Sequence, residues 1–126
     1  MQTKNREIQI IENKEAVSRA AAEIMVSLAL KKLKSKESIA VALSGGSTPR
    51  SMFALLVNDV ALCSRMPWDS VHFFWGDERH VPPDHSDSNY RMANEALLSR
   101  VPVPAANIHR IRAENPDERP ARRRIR

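Results

Sequence analysis

Apolar residues recur at helical spacing in three stretches of the chain, and each stretch follows a residue suited to begin a helix. The first helix is predicted over 14–35, after Asn13. We expect it to bury one stripe made of Val17, Ala20, Ala21, Ile24 and Leu28. The other two helices are predicted over 49–59, with Thr48 as the cap before Pro49, and over 89–100, with Ser88 as the cap.

Short apolar runs between these helices predict strands. The run 38–43, "SIAVAL", is continuous, as expected of a strand buried on both faces. A second strand is predicted over 71–75, "VHFFW", and shorter ones over 6–11 and 107–111. Strands that alternate with helices indicate an α/β fold in which helices wrap a parallel sheet.

Composition places the chain among globular proteins of one domain. The 126 residues are 42% hydrophobic and 28% charged. No apolar run approaches the roughly 18 residues of a membrane span, and the first residues lack the apolar core of an export signal. The single cysteine, Cys63, excludes an internal disulfide and favours a cytoplasmic location. No motif surrounds Cys63, so a packing role is favoured over a catalytic thiol.

The net charge of +5 is concentrated at the end of the chain. Residues 1–109 hold 13 Lys and Arg against 12 Asp and Glu, whereas residues 110–126 hold seven Arg against three acids. The last residues also lack apolar periodicity. They are either an arm that binds nucleic acid or, as the simpler interpretation, a basic tail after a chain that stops within a domain. Nucleic-acid binding by the domain itself is not expected.

The run 38–43 ends in a glycine turn, "LSGGSTPR", immediately before a predicted helix. A strand, a tight turn and a helix start bring backbone N–H groups and the positive end of a helix dipole to one point, a geometry that binds anions. Gly45 and Gly46 permit close approach of a ligand, Ser47 and Thr48 add hydroxyl groups, and Arg50 offers a guanidinium suited to phosphate. An ordinary capped turn is the alternative.

A second polar cluster follows the strand 71–75, in "FFWGDER". Ligands of open α/β sheets bind outside the carboxyl ends of strands, so both clusters fall on one edge if the strands are parallel. Asp77 could orient or deprotonate a hydroxyl group or water, and Arg79 could bind an anion. A surface ion pair is the alternative. Histidines near 80–87 show no established metal-binding spacing, and no metal site is predicted.

Three segments, "LSGGSTPR", "FFWGDERHVPPDHSDSNYRMANEALL" and "PAANIHRI", resemble the 6-phosphogluconolactonase family over about residues 8–112. The wider superfamily includes glucosamine-6-phosphate deaminases, but Arg79 and the segment that follows look like the lactonases. The resemblance implies a three-layer α/β/α, modified Rossmann-like fold and hydrolysis of 6-phosphogluconolactone to 6-phosphogluconate in the pentose phosphate pathway, without metal or organic cofactor.

The resemblance also implies roles for the two clusters. Gly45, Gly46, Ser47 and Thr48 would face the sugar phosphate with Arg50 beside them, and Asp77 and Arg79 would lie in the active site. Oligomeric state is not predicted.

The chain departs from the family in length, since members are about twice as long. Their second half carries the histidine that serves as general base, and no histidine follows His109 here. Residues 1–112 would therefore be the N-terminal half of a truncated sugar-phosphate domain with impaired activity, and 113–126 a basic tail that is non-native or disordered. The alternatives are a deaminase-like enzyme and a non-catalytic sugar-phosphate-binding fragment.

Overall fold

The computed structural model describes residues 6–116, which form helices and a parallel sheet. The helices are α1 (Lys14–Lys32), α2 (Ser47–Asn58), α3 (Val60–Arg65) and α4 (Asn89–Ala96), and the strands are β1 (Ile39–Leu43) and β2 (Val71–Trp75). The strands pair in parallel from Ile39 opposite Val71 to Leu43 opposite Trp75. The α/β class and the parallel sheet are as predicted.

One face of the sheet carries the core. Side chains alternate across a strand, and those of Leu43, Val71, Phe73 and Trp75 are buried with the helices in one apolar cluster. On the opposite face Ala40 and Ala42 are exposed, and Phe74 retains 41% of its surface. Within the described residues, helices therefore cover only one face.

The buried stripe predicted for α1 is wrong. The helix begins after Asn13 as expected, with the Asn13 side chain accepting a hydrogen bond from the Ala16 N–H. Its buried residues, however, are Ser18, Ala22, Val26 and Ala29, whereas Ala20 and Ala21 are half-buried and Val17, Ile24 and Leu28 are exposed. The helix is apolar on both sides, and α2 packs on the side whose small residues allow the closest approach.

The two outer strand predictions also change. Residues 6–11 form no strand, and Ile8 and Ile10 are 83% and 98% exposed, because no described strand pairs with them. The segment 107–111 makes one parallel bridge, between Phe73 and Ile108, and the His109 N–H donates to the Phe73 carbonyl. This bridge aligns the segment parallel to β2 at Phe73, and the chain continues from there toward the carboxyl end of β2.

Helix ends differ from the predictions at four places, two of which are the ends of α1 at Lys32 and of α2 at Asn58, where the predictions were 35 and 59. Helix α2 begins at Ser47 with Gly46 as its N-cap, two residues before the predicted start after Thr48. Helix α4 begins after Ser88 as predicted but ends at Ala96, followed by a 3₁₀ turn over Leu98–Arg100. Helix α3, capped by Asp59, was not predicted because six residues are too few for a clear periodic pattern.

The predicted basic tail, 113–126, is described only at its start. Ala113 is buried and Glu114 pairs with Arg110, while residues 117–126 lie outside the described residues.

Candidate functional site

The two polar clusters meet at one edge of the sheet. Because β1 and β2 are parallel and in register, Leu43 and Trp75 end side by side. The Gly76 N–H donates to the Leu43 carbonyl at 3.1 Å. This hydrogen bond joins the end of β1 to the start of the second loop, which follows β2 and carries Asp77 and Arg79. The glycine turn and the loop carrying Asp77 and Arg79 therefore leave the sheet together, as the sequence predicts for a shared site.

The glycine turn leaves the first turn of α2 open. Gly46 has φ 109°, a conformation that L-residues with a side chain rarely adopt, and this sharp reversal starts the helix at Ser47. No side chain caps this end. The N–H groups of Gly46, Ser47 and Thr48 precede the first intrahelical bond, from Arg50 to Gly46, so they have no partner within the helix.

A cleft of about 290 Å³ lies between the first turns of α2 and α4. It is lined by Gly46, Ser47, Arg50, Ser86, Asp87, Ser88, Asn89 and Met92. Arg50 is exposed and brings a positive charge to the N-terminal end of α2, where the helix dipole is also positive. The cleft is thus bordered by helix-end amides, hydroxyl groups and a guanidinium on the α2 side that suit an anionic group, and by the Asp87 carboxylate, which can accept hydrogen bonds from ligand hydroxyl groups.

Some predicted site residues lie beside this cleft. Gly45 is half-buried against the Asn89 side chain, and Thr48 lines a separate cavity of about 240 Å³ with apolar residues of α1 and α2. Asp77 and Arg79 are exposed on the adjoining loop and do not line the cleft. The structure therefore joins Gly46, Ser47 and Arg50 directly, and brings Asp77 to them through Asn89.

Glu78, which the sequence analysis did not single out, holds the second loop to α4. One carboxylate oxygen accepts from the N–H groups of Arg79 and Asn89, at 2.9 and 2.6 Å. The other accepts from the Ser88 hydroxyl and the Tyr90 N–H, at 2.8 and 3.0 Å. A carboxylate at the start of a helix binds its free amides and complements its dipole.

Lys14 was also missed. Its Nζ donates to the Ser47 hydroxyl at 3.3 Å, which adds a second cation beside the glycine turn. The two residues are 33 positions apart, so only the packing of α1 against α2 brings them together.

An ion pair follows the segment that is bridged to β2 at Ile108. Arg110 binds Glu114 through both carboxylate oxygens, at 2.9 and 2.6 Å, and its guanidinium lies 5.9 Å from the centre of the Tyr90 ring. The hydrogen bonds from Arg110 lower the pKa of Glu114 to about 2. Because the folded pKa lies below that of the unfolded chain, this pair stabilises the fold above about pH 4.5, and that contribution is lost as the pH falls toward 2.

Among residues 6–116, no three His, Cys, Asp or Glu side chains lie close enough to hold a metal ion. None of the described helices is long and apolar enough to cross a membrane.

Comparison with known proteins decides the family. The family model for glucosamine-6-phosphate isomerases and 6-phosphogluconolactonase matches residues 12–125. The chain belongs to this family. A 6-phosphogluconolactonase of Nostoc is 36% identical over 104 residues, which are 82% of this chain and 41% of the relative.

Solved structures that are similar to this chain share its fold. The devB protein is 38% identical with a TM-score of 0.80, over 92% of this chain and 47% of its own. The 6-phosphogluconolactonase of Thermotoga maritima is 33% identical with a TM-score of 0.76, over 91% of this chain and 51% of its own. The modified Rossmann-like fold is thus confirmed, and the chain spans about half or less of the length of these relatives.

Proposed function

We propose that the protein binds 6-phosphogluconolactone at the edge where the glycine turn meets the Asp77 loop, and hydrolyses it to 6-phosphogluconate. The observation that carries this proposal is the uncapped first turn of α2, with Arg50 beside it, facing a cleft on the same sheet edge as Asp77. The family membership narrows the anion to the phosphate of a sugar.

The phosphate end of the substrate would bind the turn. The N–H groups of Gly46, Ser47 and Thr48 donate to phosphate oxygens, and Arg50 adds charge-assisted hydrogen bonds. The hydroxyl of Ser47, held by Lys14, supplies a further donor or acceptor. Because these groups are built into a helix end, they need little reorganisation to bind the anion.

The lactone end would lie toward Asp77 and Arg79. Water adds to the lactone carbonyl, the bond between that carbon and the ring oxygen breaks, the ring oxygen takes a proton, and the new acid ionises. In this scheme Asp77 accepts a hydrogen bond from a hydroxyl group or from the water, and the Arg79 guanidinium stabilises negative charge on the carbonyl oxygen.

For the 126 residues assayed on their own, the proposal includes slow hydrolysis. A positioned general base is worth about 10²–10⁴ in rate, and the histidine that the family resemblance assigns to this role is not among the 126 residues. A cytoplasmic location belongs to the same proposal and is supported by the single cysteine.

An assay of the 126-residue protein tests the function. We expect it to bind 6-phosphogluconate, to accelerate lactone hydrolysis above the spontaneous rate, and to remain about 10²–10⁴ slower than the Thermotoga relative assayed in parallel. The Asp77→Ala variant should lose this residual acceleration, while Asp69→Ala, in the turn before β2, should keep it. Ammonia release from glucosamine 6-phosphate would instead favour a deaminase, and binding without any acceleration would favour a non-catalytic sugar-phosphate-binding protein.

A further inference from the structure

The Asn89 side chain packs directly against Gly45 and fills the space that a side chain at position 45 would need. A Cβ atom added to Gly45 would lie 2.2 Å from Asn89 Oδ1 and 2.7 Å from its Cγ, far inside van der Waals contact. Gly45 does not have the left-handed backbone that Gly46 has. A side chain at position 45 would therefore need the Asn89 side chain to move, whereas the backbone conformation there does not favour glycine.

The Asn89 side chain also reaches the second loop. Its Nδ2 donates to the Asp77 carbonyl at 3.3 Å, so one amide group touches both the glycine turn and the Asp77 loop. Asn89 additionally lines the cleft beside Ser47 and Arg50.

The backbone of Asn89 is fixed independently of this amide. Asn89 is the first residue of α4, and its N–H donates to Glu78 at 2.6 Å. The preceding residue, Ser88, caps the helix and also donates to Glu78. The Asn89 side chain thus projects from an anchored helix end.

From these contacts we infer that Asn89 is a positioning residue that sets the distance between the glycine turn and the Asp77 loop. The effect of this distance on ligand binding rests on the proposed function, in which the glycine turn binds the phosphate and the Asp77 loop binds the lactone. Asn89 would therefore select ligands long enough to reach from one to the other. A sugar phosphate spans both sites, whereas inorganic phosphate uses the turn alone.

The steric part of the inference is tested by paired substitutions and thermal melting of the 126-residue chain. Gly45→Ala should lower the midpoint by about 5–10 °C, since overpacking of this kind costs on the order of 1–3 kcal/mol. Combining it with Asn89→Ala should restore at least half of that loss, because the clashing amide is gone. Gly76→Ala is the matched control, since its Cβ would meet only the Leu43 carbonyl at 3.9 Å and should change the midpoint by less than about 2 °C. The same rank order is expected in soluble yield. Losses from Gly45→Ala and Asn89→Ala that simply add would overturn the inference.

The functional part is tested by binding of two ligands. Asn89→Ala should weaken the binding of 6-phosphogluconate about tenfold or more, and the binding of inorganic phosphate by less than about threefold. Asn94→Ala, in the same helix, is the control and should leave both affinities unchanged. Equal weakening of the two ligands would contradict a spacing role, because a merely structural effect does not distinguish them. If the unsubstituted protein bound neither ligand, the proposed function would fail. The thermal melting of the paired variants would still show whether Asn89 packs against Gly45.

Discussion

The Glu78→Ala variant is expected to lower the free energy of unfolding by about 2–4 kcal/mol. The Glu78 carboxylate accepts four hydrogen bonds, three from backbone N–H groups and one from the Ser88 hydroxyl. Alanine leaves those donors without an acceptor at a half-buried helix end, and an unsatisfied donor costs on the order of 1–3 kcal/mol when water cannot replace its partner. Urea unfolding followed by circular dichroism measures the loss.

Two further variants separate this network from a general effect of lost charge. Glu95→Ala removes an exposed carboxylate from α4 that pairs with Arg91, and it should cost less than about 0.5 kcal/mol. Glu78→Gln keeps the length and one acceptor oxygen, so an intermediate loss is expected. Equal, small losses for Glu78→Ala and Glu95→Ala would show that Glu78 does not hold the second loop to α4.

The Arg50→Ala variant is expected to weaken 6-phosphogluconate binding about 10- to 100-fold with little change in stability. A hydrogen bond between charged partners contributes roughly 1.5–3 kcal/mol, and Arg50 is the guanidinium that lines the cleft beside the open end of α2. Because Arg50 is exposed, its truncation should remove little packing. Isothermal titration calorimetry measures the change in affinity.

Arg65→Ala is the matched control for this change. Arg65 is an exposed arginine that pairs with Glu23 and does not line the cleft, so its loss removes the same formal charge from the protein. The affinity of the Arg65→Ala variant for 6-phosphogluconate should stay within about twofold of that of the unsubstituted protein, because salt screens exposed charges beyond about a Debye length. Similar weakening by both variants would mean that net charge, not the placement of Arg50, attracts the ligand.

The sequence predicts the central elements well, because local signals and tertiary packing agree there. Asn13 and Ser88 begin their helices through side-chain hydrogen bonds, and the apolar runs at 39–43 and 71–75 form the sheet. The position of the glycine turn and of Asp77 on one edge follows from parallel pairing alone.

The errors arise where a long-range partner decides between local options. In α1, apolar residues on two sides leave the periodic pattern ambiguous, and α2 selects the side with Ser18 and Ala22. At 6–11 the pattern favours a strand, but no described strand pairs with it. The positive φ of Gly46 lets helix α2 begin at Ser47, before Thr48. The preference for a hydroxyl residue at the N-cap could not reveal this earlier start.

Two of the three site residues that sequence reasoning missed, Glu78 and Asn89, act largely through backbone atoms of their partners. Glu78 binds N–H groups of α4, and Asn89 contacts Gly45 and the Asp77 carbonyl. Contacts of this kind leave no pairing of side-chain types to find in the sequence. The one available signal was the position of Asn89 directly after the cap Ser88, which places it at a helix start facing the sheet edge.

Amide chemical shifts measured during titration with 6-phosphogluconate test the central claim most directly. The account predicts saturable shifts that are largest at Gly46, Ser47, Thr48 and Arg50, with smaller shifts at Asp77 and Asn89, and none at the outer surface of α1. Shifts absent from the glycine turn, or spread evenly over basic residues across the surface, would contradict binding at this edge of the sheet.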